Sequence, residues 1–257
     1  MFEFLFYPDS LTSFILVATR VGSILASAPF FGSSAIKTQI KVFLTILVAL
    51  LIYPGVENVT IENIGTLLLV LLIFKEILIG VCIGILSHFL FIGVQLCGQV
   101  AGMQMGLNMA RALDPSSDQS LSLISTFLNI TMLLIFIAIG GHYYVIGAIS
   151  ESFRFIPLGG GHIEPVAFEY IAKLFTFTFL TAIKIMAPVL MTLLMFSIVI
   201  GTIVKFAPQI NLMIVGIPIK IVVGITMLLL SMDYFYIVYE KVLLRYFEET
   251  ANIIRLF

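Results

Sequence analysis

The feature that most constrains this chain is an apolar stretch from Ile64 to about Ala112, more than twice the length that a membrane crossing needs. About 20 apolar residues span the hydrocarbon core of a bilayer. The stretch also contains Lys75, Glu76 and His88. Charged side chains are costly in lipid, so these groups must face protein or water. The sequence therefore predicts a helix that bends, projects from the membrane or packs within protein.

Composition places the whole chain in the membrane class. Of its 257 residues, 61% are hydrophobic and 11% are charged, and its mean hydropathy is +1.18. A soluble domain is about half apolar and about a quarter charged. The net charge of -1 provides no basic field of the kind that nucleic-acid-binding proteins carry. We therefore predict an all-α membrane-associated protein that contacts lipid and binds no nucleic acid.

Turn residues divide the chain into about six long, bent, hydrophobic helical segments that form hairpins. The predicted segments cover residues 11–31, 42–53, 64–112, 121–150, 166–206 and 210–249. The third, fifth and sixth segments are each too long for a single crossing. No compositional break marks a second domain, so residues 1–257 are interpreted as one domain.

Several charged side chains lie within or beside the apolar segments. The predicted buried charges are Arg20, Lys75, Glu76 and Lys184. Lys75 and Glu76 are neighbours, so on a helix they do not face each other and each needs a partner elsewhere. The alternatives are a proton relay in a transporter and a structural ion pair between packed helices or subunits. The lack of a second acid in the same segment favours the ion pair.

A row of small residues and methionines ends the third segment. Gly98, Gly102 and Gly106 are four residues apart, so on a helix they share a face that another backbone can approach closely. Adaptable methionines flank this row at Met103, Met105 and Met109. A polar loop is predicted to stop the helix at Asp114, Pro115, Ser116, Ser117, Asp118 and Gln119. The pattern fits an ordinary membrane helix ending at a turn, or a flexible lining beside a polar loop.

A second informative stretch reads KFAPQINLMIVGIPIK. Its defining residues are Lys205, Pro208, Gln209, Asn211, Gly216, Pro218 and Lys220. Pro208 is predicted to break a long helix, with Gln209 and Asn211 satisfying the freed backbone groups, and Gly216–Pro218 marks a second break. A tight hairpin with basic shoulders and a broken transporter helix that lines a substrate site would both produce this pattern.

The residues offer little for catalysis or for a cofactor. No GxSxG or HExxH motif is present. Ser87 and His88 are adjacent, so on a helix they point in different directions. The three histidines are widely separated, which leaves a metal site little to build on. We predict no enzyme activity, no metal and no cofactor.

Two motifs carry a family resemblance: FAPQIN at residues 206–211 and VGIPIK at residues 215–220. Further motifs match the same family in order and spacing: Arg20-Val21, Pro29–Gly32, Gly102–Pro115, Gly140-Gly141-His142 and Ser152–Pro157. Together they resemble the FliR family, the flagellar relatives of the SctT proteins of virulence secretion systems. The resemblance covers essentially the whole chain.

This resemblance implies a subunit of the type III export gate. Family members assemble with several FliP and FliQ subunits into a closed, helically arranged cone in the flagellar basal body, at the bacterial inner membrane. Residues 1–160 would form a FliP-like part, and residues 161–257 a FliQ-like hairpin part. Unfolded flagellar proteins pass through the gate, and FlhA-like and FlhB-like export components are further implied partners.

The resemblance also implies a role for the polar loop. Residues 110–119 would contribute to the plug that closes the channel, and we expect the three adaptable methionines beside them to help seal it. The alternative function is a secondary transporter with discontinuous transmembrane helices. It predicts two related halves and a midplane site with coupling acids. No convincing repeat is visible, and Glu76 is the one acid deep in an apolar run.

Overall fold

The computed structural model describes residues 8–33, 36–56, 66–107, 123–160, 165–206 and 212–254. These residues form eight α-helices and no strand. The helices are α1 (Pro8–Ser27), α2 (Thr38–Ile52), α3 (Thr66–Gln104), α4 (Leu123–Ala138), α5 (Gly141–Phe155), α6 (Pro165–Phe206), α7 (Leu212–Leu230) and α8 (Met232–Ile254). The predicted all-α fold of long apolar helices is confirmed.

Several of these helices are suited to a membrane by length and composition. Four helices in the described part of the chain are long and apolar enough to cross one, or up to six spans if each bent pair, α4–α5 and α7–α8, counts once. The span of α3 has 39 residues and that of α6 has 38. At a rise of ~1.5 Å per residue each is roughly 57 Å long, against ~30 Å for the hydrocarbon core. The prediction that these segments exceed one crossing is confirmed.

Two predicted segments are interrupted by breaks that the apolar pattern did not reveal. The fourth segment breaks before α5 at Gly140, which has a φ of 74°. Glycine adopts this left-handed conformation without steric cost, so the chain changes direction there. The sixth segment breaks at Ser231, whose hydroxyl donates to the Leu228 carbonyl at 3.0 Å. A side chain that bonds locally to the backbone competes with the regular helix.

Conversely, one predicted break is wrong. α7 continues through Gly216 and Pro218 without interruption. Proline inside apolar membrane helices is tolerated because neighbouring groups satisfy the carbonyl that it leaves free. The other predicted break, at Pro208, Gln209 and Asn211, lies outside the described residues.

α3 ends earlier than the sequence predicted. Its last residue is Gln104, and Gly106 follows with a φ of 83°. The Leu107 N–H donates to the Gly102 carbonyl at 3.1 Å, and the Gly106 N–H donates to the Met103 carbonyl at 3.0 Å. These two bonds with a left-handed glycine make a Schellman motif, which satisfies the last carbonyls of a helix. Gly106 is therefore the residue that ends α3, and not a continuation of its helical face.

Contacts between residues divide the described chain into two compact units. The first comprises the described residues within 1–89, 140–175 and 245–257, and the second those within 90–139 and 176–244. α3 and α6 each contribute to both units. The division into a FliP-like part and a FliQ-like part at residue 160 stays a prediction.

Candidate functional site at a buried ion pair

The site in the first unit begins with a close crossing of α1 and α3. A Cβ atom placed on Gly80 would lie 2.8 Å from the Arg20 carbonyl oxygen. A Cβ atom on Gly84 would lie 2.8 Å from the Ile24 carbonyl oxygen. Atoms cannot approach so closely, so only glycine at these two positions permits this crossing. Small residues of this kind allow helix backbones to meet in membrane proteins.

Small residues also face this crossing from α1. Ser23 and Ser27 lie opposite the two glycines of α3. Their hydroxyls donate back to their own helix, to the Thr19 carbonyl at 2.9 Å and the Ser23 carbonyl at 2.6 Å. This crossing was not predicted from the sequence. The signal was present as two matched four-residue spacings, Gly80 to Gly84 and Ser23 to Ser27.

The crossing places Arg20 of α1 beside Glu76 of α3, with both side chains fully buried. Arg20 Nε donates to Glu76 Oε2, and Arg20 Nη2 donates to Glu76 Oε1 at 3.0 Å. A guanidinium that meets both carboxylate oxygens in this way forms the strongest ion-pair geometry that proteins use. The partner that Glu76 required from elsewhere in the chain is therefore Arg20.

The remaining donors of Arg20 reach the carboxyl end of α5. Nη1 donates to the Ile156 carbonyl at 2.7 Å and to the Ser152 carbonyl at 3.1 Å. Nη2 also donates to the Pro157 carbonyl at 3.5 Å. A guanidinium has five N–H donors, and each has an acceptor here. The Ser152 carbonyl also accepts the Ile156 N–H at 3.0 Å, so the arginine adds a second bond there and caps the carbonyls that follow the last turn of α5, where partial negative charge accumulates.

Glu76 and its neighbour Lys75 both bind Gly159. Glu76 Oε1 accepts a hydrogen bond from the Gly159 N–H at 3.0 Å, and Lys75 Nζ donates to the Gly159 carbonyl at 3.1 Å. Gly159 has a φ of 67°, and a Cβ atom there would lie 3.1 Å from Leu72 Cδ2. Two adjacent residues on α3 therefore hold both backbone groups of one left-handed residue.

An aromatic ring completes the surroundings of Arg20. The guanidinium carbon lies 4.5 Å from the centroid of the Phe153 ring. Cations are attracted to the face of such a ring, more strongly where water is excluded. The site thus joins α1, α3, α5 and the turn after α5 through one neutralised pair of charges. Such an arrangement suits a fixed structural joint, because its polar atoms are already occupied by partners from this chain.

The four charges predicted to be buried divide into three environments. Arg20 and Glu76 are buried, and Lys75 is half-buried. Lys184 is exposed on α6 and forms no ion pair with a described residue, so its burial against a partner stays a prediction. The sequence pattern identified an ionisable group in an apolar helix, but it contained no information on which face of α6 the chain itself covers.

The methionines beside the small-residue row point into different surroundings. Met105 is fully buried in the second unit. A Cβ atom on Gly224 of α7 would lie 2.9 Å from Met105 Cγ, so this methionine occupies the space that the glycine leaves. Met103 is 55% exposed. Met109 and the loop at residues 114–119 lie outside the described residues.

The glycines of the row do pack against other helices of the second unit. A Cβ atom on Gly98 would lie 2.9 Å from the Ser125 Cα atom of α4, and the Ser125 hydroxyl donates to the Gln95 carbonyl at 2.7 Å. Gly102 is buried as well. A Cβ atom on Gly106 would lie 3.1 Å from Ile217 Cγ2. The close approach expected of the row is present at Gly98.

The described flanks of the APQIN stretch are largely open to their surroundings. Lys205 at the end of α6 is exposed, and Pro218 of α7 is exposed as well. Lys220 is half-buried, and Gly216 is buried. These residues belong to the second unit, and their predicted role in a hairpin and in assembly stays a prediction.

The fold and the site define a class: an all-α membrane-type protein whose buried charges serve helix packing. Residues 11–246 match the family described as bacterial export proteins, family 1. The chain belongs to that family. This membership agrees with the resemblance that the sequence motifs indicated.

Curated relatives narrow the similarity further. The chain is 31% identical over 206 residues to the flagellar biosynthetic protein FliR of Pectobacterium carotovorum subsp. carotovorum, which covers 80% of this chain and 78% of that protein. It is 27% identical over 251 residues to the protein of the same name from Bacillus subtilis (strain 168), covering 96% of each. The protein of that name from Escherichia coli (strain K12) is 26% identical over 209 residues, covering 81% of this chain and 80% of that protein. The prediction of a FliR-type chain is confirmed.

Proposed function

We propose that this chain is a subunit of the flagellar type III export gate. In this proposal it assembles with FliP-like and FliQ-like subunits into a cone within the basal body, at the bacterial inner membrane. The gate conducts unfolded flagellar proteins, with FlhA-like and FlhB-like components as further partners. The chain acts by binding and shaping a conduit, and it carries out no chemistry.

The observation that carries the proposal is the bare apolar surface of α6. Only 11% of its most apolar 18-residue stretch is buried within the chain. Large apolar side chains are exposed along it at Leu180, Ile183, Met191, Leu194, Met195, Ile198, Val199 and Ile203. Lipid can cover only about 30 Å of a helix roughly 57 Å long. The remaining apolar surface is best covered by the helices of partner subunits.

Lys184 supports the same conclusion. It is exposed near the middle of the α6 span and has no ion-pair partner among the described residues. An ammonium at the centre of a bilayer is costly, and such groups usually face a bundle interior or a water-filled cavity. A neighbouring subunit or an aqueous conduit would supply that environment.

The ion pair weighs against the alternative of a secondary transporter. Coupling in such a transporter needs an acid that can exchange a proton or an ion at the midplane. Glu76 is the acid deep in an apolar run, and its carboxylate is held by Arg20 and by the Gly159 N–H. A carboxylate with these partners is committed to packing.

Within the proposed gate, the predicted loop at residues 110–119 contributes to the channel plug. The Schellman motif at Gly106 ends α3 shortly before this loop, and Met103 is exposed nearby. Flexible apolar side chains can repack around substrates of varied sequence, and a dry constriction resists ions. Met103 and Met109 are retained as proposed lining residues of the channel. Met105 is assigned to packing against Gly224, because it is fully buried in this chain.

Co-purification tests the gate. A tagged version of this chain should bring FliP-like and FliQ-like subunits from the same cell through two affinity steps in mild detergent. The same chain expressed alone should be poorly stable and heterogeneous. A monodisperse, heat-resistant monomer that does not bind added FliP-like subunits would argue against the proposal.

Deletion of residues 114–119 tests the plug in a complex that still assembles. We expect resting conductance to small ions to rise, measured by electrophysiology on the reconstituted complex. Replacing the six residues with a Gly-Ser linker of equal length separates the effect of the side chains from that of loop length. An assembled deletion complex as tight as the wild type would remove the plug from the proposal and leave the gate.

A further inference from the structure

A cleft in the first unit lies apart from the Arg20–Glu76 cluster and has a volume of about 390 Å³. Its walls come from α5, from the carboxyl end of α8 and from Ser87 of α3. The side chains that give it chemical character are Tyr143, Tyr144, Glu151, Phe247 and Glu248. Three aromatic rings and two carboxylates therefore line one opening.

The aromatic wall is formed before any ligand is present. The rings of Tyr144 and Phe247 are stacked, with centroids 4.4 Å apart and planes at 3°. Within this stack Phe247 is the buried ring and Tyr144 is exposed, as is the neighbouring Tyr143. The faces of tyrosine rings attract cations such as guanidinium and ammonium groups. Because the stack fixes the Tyr144 ring, little conformational freedom is lost when a ligand meets it.

The two carboxylates supply matching charge. Glu151 is half-buried and Glu248 is exposed, and neither forms an ion pair with a described residue. Arg154 and Arg245 lie one turn away on the same helices, yet neither lines the cleft. The cleft thus presents two carboxylates beside aromatic faces, and none of the described residues that line it carries a positive charge.

We propose that this cleft accepts an arginine side chain from a partner subunit of the export gate. A guanidinium is planar, so it stacks on a tyrosine ring while its N–H groups pair with a carboxylate. A zwitterionic lipid head group fits less well, because its phosphate would lie close to two carboxylates of like charge. A calcium ion takes six to eight oxygen ligands, more than two carboxylates provide. The inference rests on the proposed function for the identity of its partner.

The first test uses the complete complex with the double substitution Glu151→Gln and Glu248→Gln. We expect roughly tenfold less partner subunit to co-purify at moderate ionic strength, and the remaining association to depend less on salt. Glu249→Gln is the matched control, because this acid is next in sequence and does not line the cleft. If the double variant retains the partners as the wild type does, the cleft proposal fails. If the wild type itself brings no partners, the proposed function fails instead.

The second test identifies the occupant directly. Tyr143, which is 71% exposed, is replaced by the photo-crosslinking residue p-benzoylphenylalanine in cells that make the whole gate. We expect mass spectrometry to find a crosslinked partner peptide that contains an arginine. Substituting that arginine with glutamate should weaken assembly, and combining it with Glu151→Arg should restore it. Crosslinks to lipid, to this chain's own segments or to nothing would overturn the proposal.

Discussion

In the Arg20–Glu76 cluster every donor of the guanidinium meets an acceptor from this chain, whereas on α6 the ammonium of Lys184 is exposed among apolar side chains. Both charges lie within helices long and apolar enough to cross a membrane. The first is complete within a single polypeptide. The second has no ion-pair partner in the described part of the chain.

The difference separates a joint that is complete within this chain from an apolar surface that this chain leaves uncovered. A buried charge without a partner is strongly destabilising. Arg20 can therefore be buried only because Glu76 and the α5 carbonyls accept its hydrogen bonds. Lys184 is not buried in this chain, so the chain itself needs no partner for it. Another subunit or water can surround this charge. We infer that α1, α3 and α5 form a fixed support in the first unit, and that α6 offers its surface to partners.

The largest expected effect comes from Glu76→Ala. The substitution leaves a buried guanidinium without its counter-charge and frees the Gly159 N–H, so we expect a loss of about 3–5 kcal/mol in the free energy of unfolding. That loss approaches the whole stability of many domains. The measurement is unfolding of the purified chain in detergent, together with its abundance in membranes. Stability equal to that of the wild type would contradict the assignment of a structural joint.

Two further variants test the same prediction. Glu169→Gln is the control, because Glu169 pairs with Lys173 at 2.8 Å on the exposed surface of α6, and such pairs contribute little. The double substitution Arg20→Met with Glu76→Leu removes both charges. It should recover only part of the stability, since the Ser152 and Ile156 carbonyls then lose the arginine that caps them.

A smaller effect is expected from Gly80→Ala. The added methyl group would lie 2.8 Å from the Arg20 carbonyl oxygen and 3.0 Å from Ser23 Cβ, so α1 and α3 must separate and the ion pair must stretch. Overpacking of this kind costs about 1–3 kcal/mol. Chemical unfolding in detergent, with the same readout as for the charge variants, measures the loss.

Gly201→Ala on α6 is the matched control for this substitution. No atom of the described residues lies within 4 Å of a Cβ atom placed there. Alanine favours a helix over glycine, so the stability of the isolated chain should be unchanged or slightly higher. Equal losses at Gly80 and Gly201 would show that the crossing of α1 and α3 is not the cause.

The smallest effect on the chain itself is expected from Lys184→Glu. The side chain is exposed, so unfolding of the isolated chain should not change. Recovery of partner subunits should fall about tenfold, equivalent to about 1.4 kcal/mol, because in the proposed gate this charge faces a neighbouring subunit. Lys205→Glu is the control, and its effect should be weaker. This lysine is exposed at the end of α6, where a long side chain can keep its ammonium in the water at the membrane surface. Losses that appear already in the isolated chain would contradict the comparison.

Local pattern was enough to predict several elements of the fold. Apolar segments from 42 to 53 and from 166 to 206 correspond closely to α2 and α6, since a long run of apolar residues in a membrane leaves the backbone few alternatives to a helix. The end of α3 was placed too late, at Asp114, because Gly106 was interpreted by its spacing and not by its capacity for a positive φ. One backbone angle ended the helix where the side-chain pattern continued.

The candidate site was predictable only as a set of charges. Arg20, Lys75 and Glu76 were identified as groups that require partners, and an ion pair was favoured over a proton relay. The sequence did not show which residues would meet, because Arg20 and Glu76 are 56 residues apart with all of α2 between them. The glycine pair at Gly80 and Gly84, which sets the distance between the helices, was overlooked.

Residue composition and short-range spacing are enough to predict a helical membrane-type protein with helices longer than a bilayer, because they act within one or two helical turns. The family motifs are likewise readable along the chain. The packing of the helices adds that Arg20 neutralises Glu76, that Met105 fills the space beside Gly224, and that Lys184 is exposed. Those outcomes depend on which helix faces cross and how closely their backbones approach, and long-range packing sets both.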